Sequence, residues 1–143
     1  MKKLRLGIIG NPLGHSFSKV YFDKKFTELG FTDSSFSNYE LARIEDLSSL
    51  VVDEKDLCGL AVTAPFKQQV IPFLDSIHPL AAEIGSVNCL RFLDGHVSGY
   101  NTDVLGFVSS IKKYLKPHQN KALILGTGGA SKAAAFEIGR AHV

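Results

Sequence analysis

The hydrophobic positions change period several times along the chain, and each change marks an element. Leu4 to Ile9 is a short, nearly continuous apolar run that stops at Gly10-Asn11-Pro12, as a strand buried on both faces does when it enters a loop. Residues 18–29 then place Phe22, Phe26 and Leu29 at i, i+4 and i+7, with Gly30 at a helix C-cap, which predicts an amphipathic helix of about three turns. Phe36 to Leu41 reads as a second strand, Ile44 to Val52 as a second helix and Leu57 to Val62 as a third strand. Lys67 to Leu74 and Leu80 to Ile84 read as helical pieces separated by Asp75 to Pro79. Ser86 to Phe92 and His96 to Tyr100 predict two strands joined at Asp94-Gly95, since Asp-Gly supplies the positive φ angles of a two-residue hairpin. From Asp103 the pattern is helical again, with Val104, Phe107, Val108, Ile111 and Leu115 along one face.

The basic, proline-containing segment 112–121 reads as a junction, after which Ala122 to Leu125 predicts a strand that opens a new unit. Strands alternating with helices imply an α/β protein. Residues 1–115 are expected to form a three-layer domain whose mainly parallel sheet carries an antiparallel hairpin. Residues 116–143 are expected to give the first strand, turn and helix of a Rossmann domain.

Composition narrows the function classes. An apolar fraction of 45% with 21% charged residues is ordinary for a globular protein and excludes disordered and fibrous chains. The formal charge of +2 comes without any block of like charges, so no nucleic-acid partner is expected. Arg5 interrupts the first apolar run and Pro12 follows too soon for a signal peptide, and no stretch approaches the roughly 20 apolar residues of a membrane helix. The expectation is a soluble, cytoplasmic protein without a membrane partner. Cys58 and Cys89 form no Cys-x-x-Cys pair and have no His at ligand spacing, so they are expected to be small buried residues, with no metal site and no disulfide framework.

Several stretches could carry chemistry. Gly126-Thr127-Gly128-Gly129-Ala130 follows the last predicted strand and precedes an alanine-rich helix, the order in which a backbone turns tightly around a pyrophosphate at a helix N-terminus. Its plain alternative is a structural turn. Asn11 to Ser18 joins the first strand to the first helix and sets Ser16 and Ser18 where a carboxylate could take their hydrogen bonds, or where either serine simply caps the helix. Thr63 and Lys67 follow the third strand, at the carboxyl end where open parallel sheets place ligands. Lys67 is either a solvated residue of a first helical turn or a functional one, Asp103 either stabilises a helix start or has a chemical role, and Asn88 faces either solvent or a cleft. His15 is given no role.

Together these pieces resemble the shikimate dehydrogenase family, whose pattern runs G-x-P-x-x-H-S-x-S, V-T-x-P-x-K, G-x-V-N, N-T-D and G-x-G-G-A. Here they stand in order as Gly10 to Ser18, Val62 to Lys67, Gly85 to Asn88, Asn101 to Asp103 and Gly126 to Ala130. The resemblance implies that Ser16 and Ser18 hold the carboxylate of shikimate or 3-dehydroshikimate, and that Thr63, Lys67, Asn88 and Asp103 surround its ring hydroxyls. Lys67 and Asp103 would be the catalytic pair: hydride delivery to a ring ketone leaves an alkoxide that needs a proton donor. It also implies NADP as cofactor on Gly126, Thr127, Gly128, Gly129 and Ala130, an NADP-dependent shikimate 3-dehydrogenase activity in aromatic amino-acid biosynthesis, and it leaves a homodimer open. Quinate/shikimate dehydrogenases share every motif, a non-catalytic shikimate-binding relative is a further alternative, and methylenetetrahydrofolate dehydrogenases have a similar two-domain plan, against which the Ser-x-Ser loop argues.

The chain departs from the pattern at Lys19, Phe22 and Asp23, where S-x-S-P-x-x-H-N is usual, and at Ala61, where Asn is usual. Family members continue through the rest of the cofactor domain, so this chain is expected to be about half of one and to have little activity by itself. Glu137 to Val143 also match one translated frame of a common sequencing adapter, which places the expected native end near Phe136 and makes 137–143 an artefactual tail.

Overall fold

A computed structural model describes residues 3–140 apart from His15 and Pro117, so the last three residues of the tail discussed above lie outside the described residues. Among the described residues the strands are β1 (Arg5–Gly10), β2 (Ser35–Glu40), β3 (Leu57–Val62), β4 (Ser76–Ile77), β5 (Cys89–Leu93) and β6 (His96–Tyr100). They form one sheet in the order β2-β1-β3-β5-β6-β4. β1 pairs in parallel with β2 and β3, β4 in parallel with β6, and β5 is antiparallel to both its neighbours, so β5 alone runs against the rest. The helices are α1 (Ser18–Glu28), α2 (Leu47–Asp53), α3 (Phe66–Gln69), α4 (Pro79–Ile84), α5 (Asp103–Ile111) and α6 (Gly129–Arg140).

The period of two along β1 explains the layers. Ile8 faces one side and packs with Leu13, Phe26 and Phe36 under α1, while Ile9 faces the other and packs with Leu60, Val62, Phe66 and Val70. With Ile9 at 0% and Leu60 at 2% exposure, each contributes about 2–3 kcal/mol of burial to a sheet covered on both faces. A third apolar group, Ile84, Val104 and Ala133 with Leu80, Val108 and Phe136, fastens α4, α5 and α6 together. No helix among the described residues is long and apolar enough to cross a membrane.

The expected hairpin forms, with Asp94 at φ 52° and Gly95 at φ 76°. Other elements differ from the sequence expectation for identifiable reasons. Pro72 has no N–H to continue a helix, so the segment expected to be helical over 67–74 is α3 followed by a 3₁₀ turn, Ile71–Phe73. The predicted spacer 75–79 contains β4, held to β6 by a Val97 N–H donated to Asp75 Oδ2 at 2.7 Å and by Ser76 Oγ to Ser98 Oγ at 3.0 Å. Ser86 to Asn88 precede β5 instead of belonging to it. Residues 122–125 form no strand, and Leu123 and Leu125 are 84% and 86% exposed. A strand exists only as a ladder partner, and none of the six strands pairs with this segment.

Cys58 and Cys89 are half-buried, not enclosed as expected, and both are free thiols. Desolvation pushes the Cys89 thiol above its ordinary range, which lowers its thiolate fraction. At pH 8, a soluble disulfide reagent should therefore label Cys58 before Cys89. Peptide mass mapping of partly labelled chain checks this, and equal labelling of the two would contradict it.

Candidate active site

The carboxyl ends of β1, β3 and β6 and the beginning of the reversed strand β5 lie along one edge of the sheet, so four connecting segments meet there. Asn11 N–H donates to the Ala64 carbonyl at 3.0 Å, Asn88 N–H to that of Tyr100 at 3.0 Å, and Val62 N–H to that of Asn88 at 2.8 Å. The Asn11-Pro12 and Ala64-Pro65 peptides are both cis. At Gly10 a β-carbon would collide with Thr63 Cγ2 and Leu13 Cδ2, so glycine lets the loops after β1 and β3 close on one another.

Lys67 stands on α3 directly after the β3 loop, and its Nζ donates to Asp103 Oδ2 at 2.7 Å. The two side chains are 16% and 29% exposed, sheltered enough for the pair to keep one geometry and open enough for a ligand to reach it. Asn88 Nδ2 donates to the other carboxylate oxygen at 2.7 Å and to Thr102 Oγ1 at 2.9 Å, while Asn88 Oδ1 accepts from Thr102 N–H at 2.8 Å. Asn88 thus turns its amide onto Thr102 and Asp103, and Asp103 is held through both oxygens at the start of α5, where the helix dipole favours its charge. The Lys67 carbonyl accepts from Val87 N–H at 2.7 Å, which ties α3 to the Asn88 segment.

Asn101, to which the sequence reading gave no role, organises this cluster. Buried to 5% exposure, it donates from Nδ2 to the Ser86 carbonyl at 2.9 Å, and its Oδ1 accepts from Asp103 N–H at 3.0 Å and Val104 N–H at 3.4 Å. It does the work of a helix cap from one residue before the positional cap, Thr102. An Asn two residues ahead of an Asp that opens a helix is a local signal for this role.

The Ser16 and Ser18 loop comes from the neighbouring β1 end. The cap position of α1 is Phe17 and no side chain bonds there, so neither serine serves as the helix cap considered above. Ser16 Oγ is closed off from solvent and has no hydrogen-bond partner among the described residues. Two contacts fix the loop: Leu13 N–H donates to Glu40 Oε2 at 2.7 Å, and Asn11 Nδ2 to the Leu41 carbonyl at 2.9 Å. Glu40 reaches across 27 residues to do this and has no local sequence signal. Of the positions that depart from the family pattern, Lys19 and Asp23 make an exposed i,i+4 ion pair at 2.7 Å, and Phe22 stacks on Phe36 at 4.6 Å between ring centres.

The glycine turn lies at the start of α6, with Gly126 at φ 119° and residues 121–128 exposed. Lys132 N–H donates to the Gly128 carbonyl at 3.1 Å and begins the helical ladder, and a β-carbon at Gly128 would meet open space. A bare backbone turn at the N-terminus of a 12-residue helix fits a pyrophosphate. Gly126, Thr127, Gly128, Gly129 and Ala130 are the residues that could hold one.

Residues 8–90 match the family model described as the shikimate dehydrogenase substrate binding domain. A shikimate dehydrogenase (NADP(+)) of Methanosphaera stadtmanae is 38% identical over 139 residues, which are 96% of this chain and 48% of that relative. The crystal structure of shikimate dehydrogenase 1 from Peptoclostridium difficile superposes with a TM-score of 0.85 at 36% identity, covering 96% of this chain and 51% of that one. The Thermus thermophilus enzyme in complex with shikimate also gives 0.85, at 31% identity and over 98% and 54% of the two chains. The chain spans about half the length of the curated relatives it matches.

Proposed function

The chain belongs to the shikimate dehydrogenase family through its substrate-binding domain, and on that premise we propose that it binds shikimate and 3-dehydroshikimate in the substrate half of an NADP-linked shikimate 3-dehydrogenase. In this reading residues 1–115 are the substrate domain and 116–143 open the cofactor domain. The observation that carries it is the Lys67 ammonium, 2.7 Å from an Asp103 carboxylate whose other oxygen is taken by Asn88, at the carboxyl edge of the sheet.

The division of labour follows from the donors and acceptors. A ring carboxylate takes hydrogen bonds from Ser16 and Ser18, the Ser16 hydroxyl, which has no partner among the described residues, turning out of its closed-off position to do so. Thr63, Asn88 and Asp103 meet the ring hydroxyls, and Asp103 keeps Lys67 aimed at the reacting oxygen. Bound on Gly126 to Ala130, NADPH would supply the hydride. Held on Asp103, Lys67 donates from Nζ to the alkoxide oxygen that appears as the ketone is reduced, and in the reverse direction its amine accepts the alcohol proton.

Calorimetric titration of shikimate into the 143-residue chain and its Ser16→Ala variant tests this. The parent chain should bind. Loss of a charge-assisted hydrogen bond should weaken the variant about tenfold, while removal of a buried unsatisfied hydroxyl should raise its stability to urea by about 1 kcal/mol. Absence of shikimate binding by the parent chain would defeat the reading, and tighter binding of quinate would move it to the quinate-using branch. A variant that binds equally well and is less stable would make Ser16 structural.

A further inference from the structure

The glycine turn reaches the stem of Lys67. Gly129, the first residue of α6, lies directly over the stem of Lys67. A β-carbon at Gly129 would stand 2.5 Å from Ser86 Oγ, 2.6 Å from Lys67 Cβ and 3.0 Å from Lys67 Cδ, all well inside the roughly 3.5–4.0 Å of normal carbon contact. The floor beneath Gly129 has little room to yield. Ser86 is fully buried and its carbonyl is bonded to Asn101. The Lys67 backbone is tied to Val87. From above, α6 is fastened by Ala133, 1% exposed against Ile84 and Val104, so it cannot lift without uncovering that contact.

We propose that Gly129 is a positioning residue for Lys67: the first residue of α6 closes over the lysine stem and keeps its Nζ on Asp103. The phosphate-binding turn then sets the geometry of the proton donor through its stem, while Asp103 holds its Nζ. The absence of a side chain at position 129 acquires a second reason, independent of close approach to a pyrophosphate. The inference rests on the reading of Lys67 as the proton donor, but the contact itself can be tested apart from that role.

The test uses the 143-residue chain carrying carbon-13 in its lysine side chains, with the Lys67 Cε resonance assigned through Lys67→Arg. In the unsubstituted chain a nuclear Overhauser contact is expected between Gly129 Hα and Lys67 Hβ. Gly129→Ala should shift the Lys67 Cε resonance and weaken shikimate binding about tenfold. Gly139→Ala makes the same change in the same helix where a β-carbon meets open space, and it should do neither. A Gly129→Ala chain whose Lys67 resonance overlays the parent's would overturn the proposal, as would absence of the Overhauser contact, which decides the matter even if the variant does not fold. If the parent chain fails to bind shikimate, the functional reading falls while the Lys67 resonance still reports on the contact.

Discussion

Replacing Lys67 by alanine should lower turnover by about 100- to 10,000-fold when these residues are joined to the second half of the Methanosphaera stadtmanae relative, with KM for 3-dehydroshikimate moving by less than tenfold. General acid catalysis acts on the transition state, where the oxygen gains charge, so the loss belongs in kcat. The side chain is only 16% exposed and is bonded at 2.7 Å to Asp103, so water has no equivalent donor fixed in that place. Lys67→Arg separates proton transfer from charge. A guanidinium keeps the ion pair with Asp103 but does not give up a proton near neutral pH, so the arginine variant should be nearly as slow as the alanine one. Steady-state loss of NADPH absorbance measures both, and recovery of more than a tenth of the parent rate by arginine would reduce Lys67 to an electrostatic role.

The second large effect is on stability. Phe66→Ala should cost about 3–5 kcal/mol, because Phe66 is 2% exposed and sits among Ile9, Val62, Val70 and Val87 in the main core. Set against the roughly 5–15 kcal/mol that holds a typical domain folded, that brings a domain at the lower end of the range close to its unfolding midpoint. Phe66→Leu retains most of the buried area and should cost less than half as much. The chain has no tryptophan, so urea unfolding is best followed by circular dichroism at 222 nm. Phe66 also begins the helix that carries Lys67, and its ring anchors that helix in the core, so the alanine variant should lose shikimate affinity even where it remains folded.

Local periodicity revealed those parts of the fold whose cause is local. β1, β3 and α1 were readable because an apolar run or an i, i+4, i+7 face ends in Gly or Pro, and the β5–β6 turn because Asp-Gly has few other uses. β4 was not readable, since two residues cannot display a period. Residues 122–125 display the pattern of a buried strand and are not one here, because pairing is a property of two segments and the pattern belongs to one. At the site, the residue set was visible as ordered motifs, but its bonding was not. The Asn88 amide lies on Asp103 from 15 residues away and Lys67 from 36, so only the sheet order brings them together. A serine capping α1 was the simpler expectation for the first loop, and it failed because the helix begins one residue off the register that would have needed it.

The reversed direction of β5 has a consequence for how this domain can vary. Asn88 arrives at the edge before its strand, whereas Asp103 arrives after β6, so the two partners are the feet of a single staple whose crown is Asp94-Gly95. If both legs lengthen equally, the crown moves outward and the feet stay where they are. A single residue added to one leg slides the feet by about 3.3 Å and turns that leg's side chains to the opposite face, more than a 2.7 Å hydrogen bond survives. Insertions that keep the legs equal therefore leave the feet in place, and those beyond Arg91 and Ser98 also spare the pairing of β5 with β3 and of β6 with β4, so this domain can change length at the crown and, in matched pairs, along the outer legs.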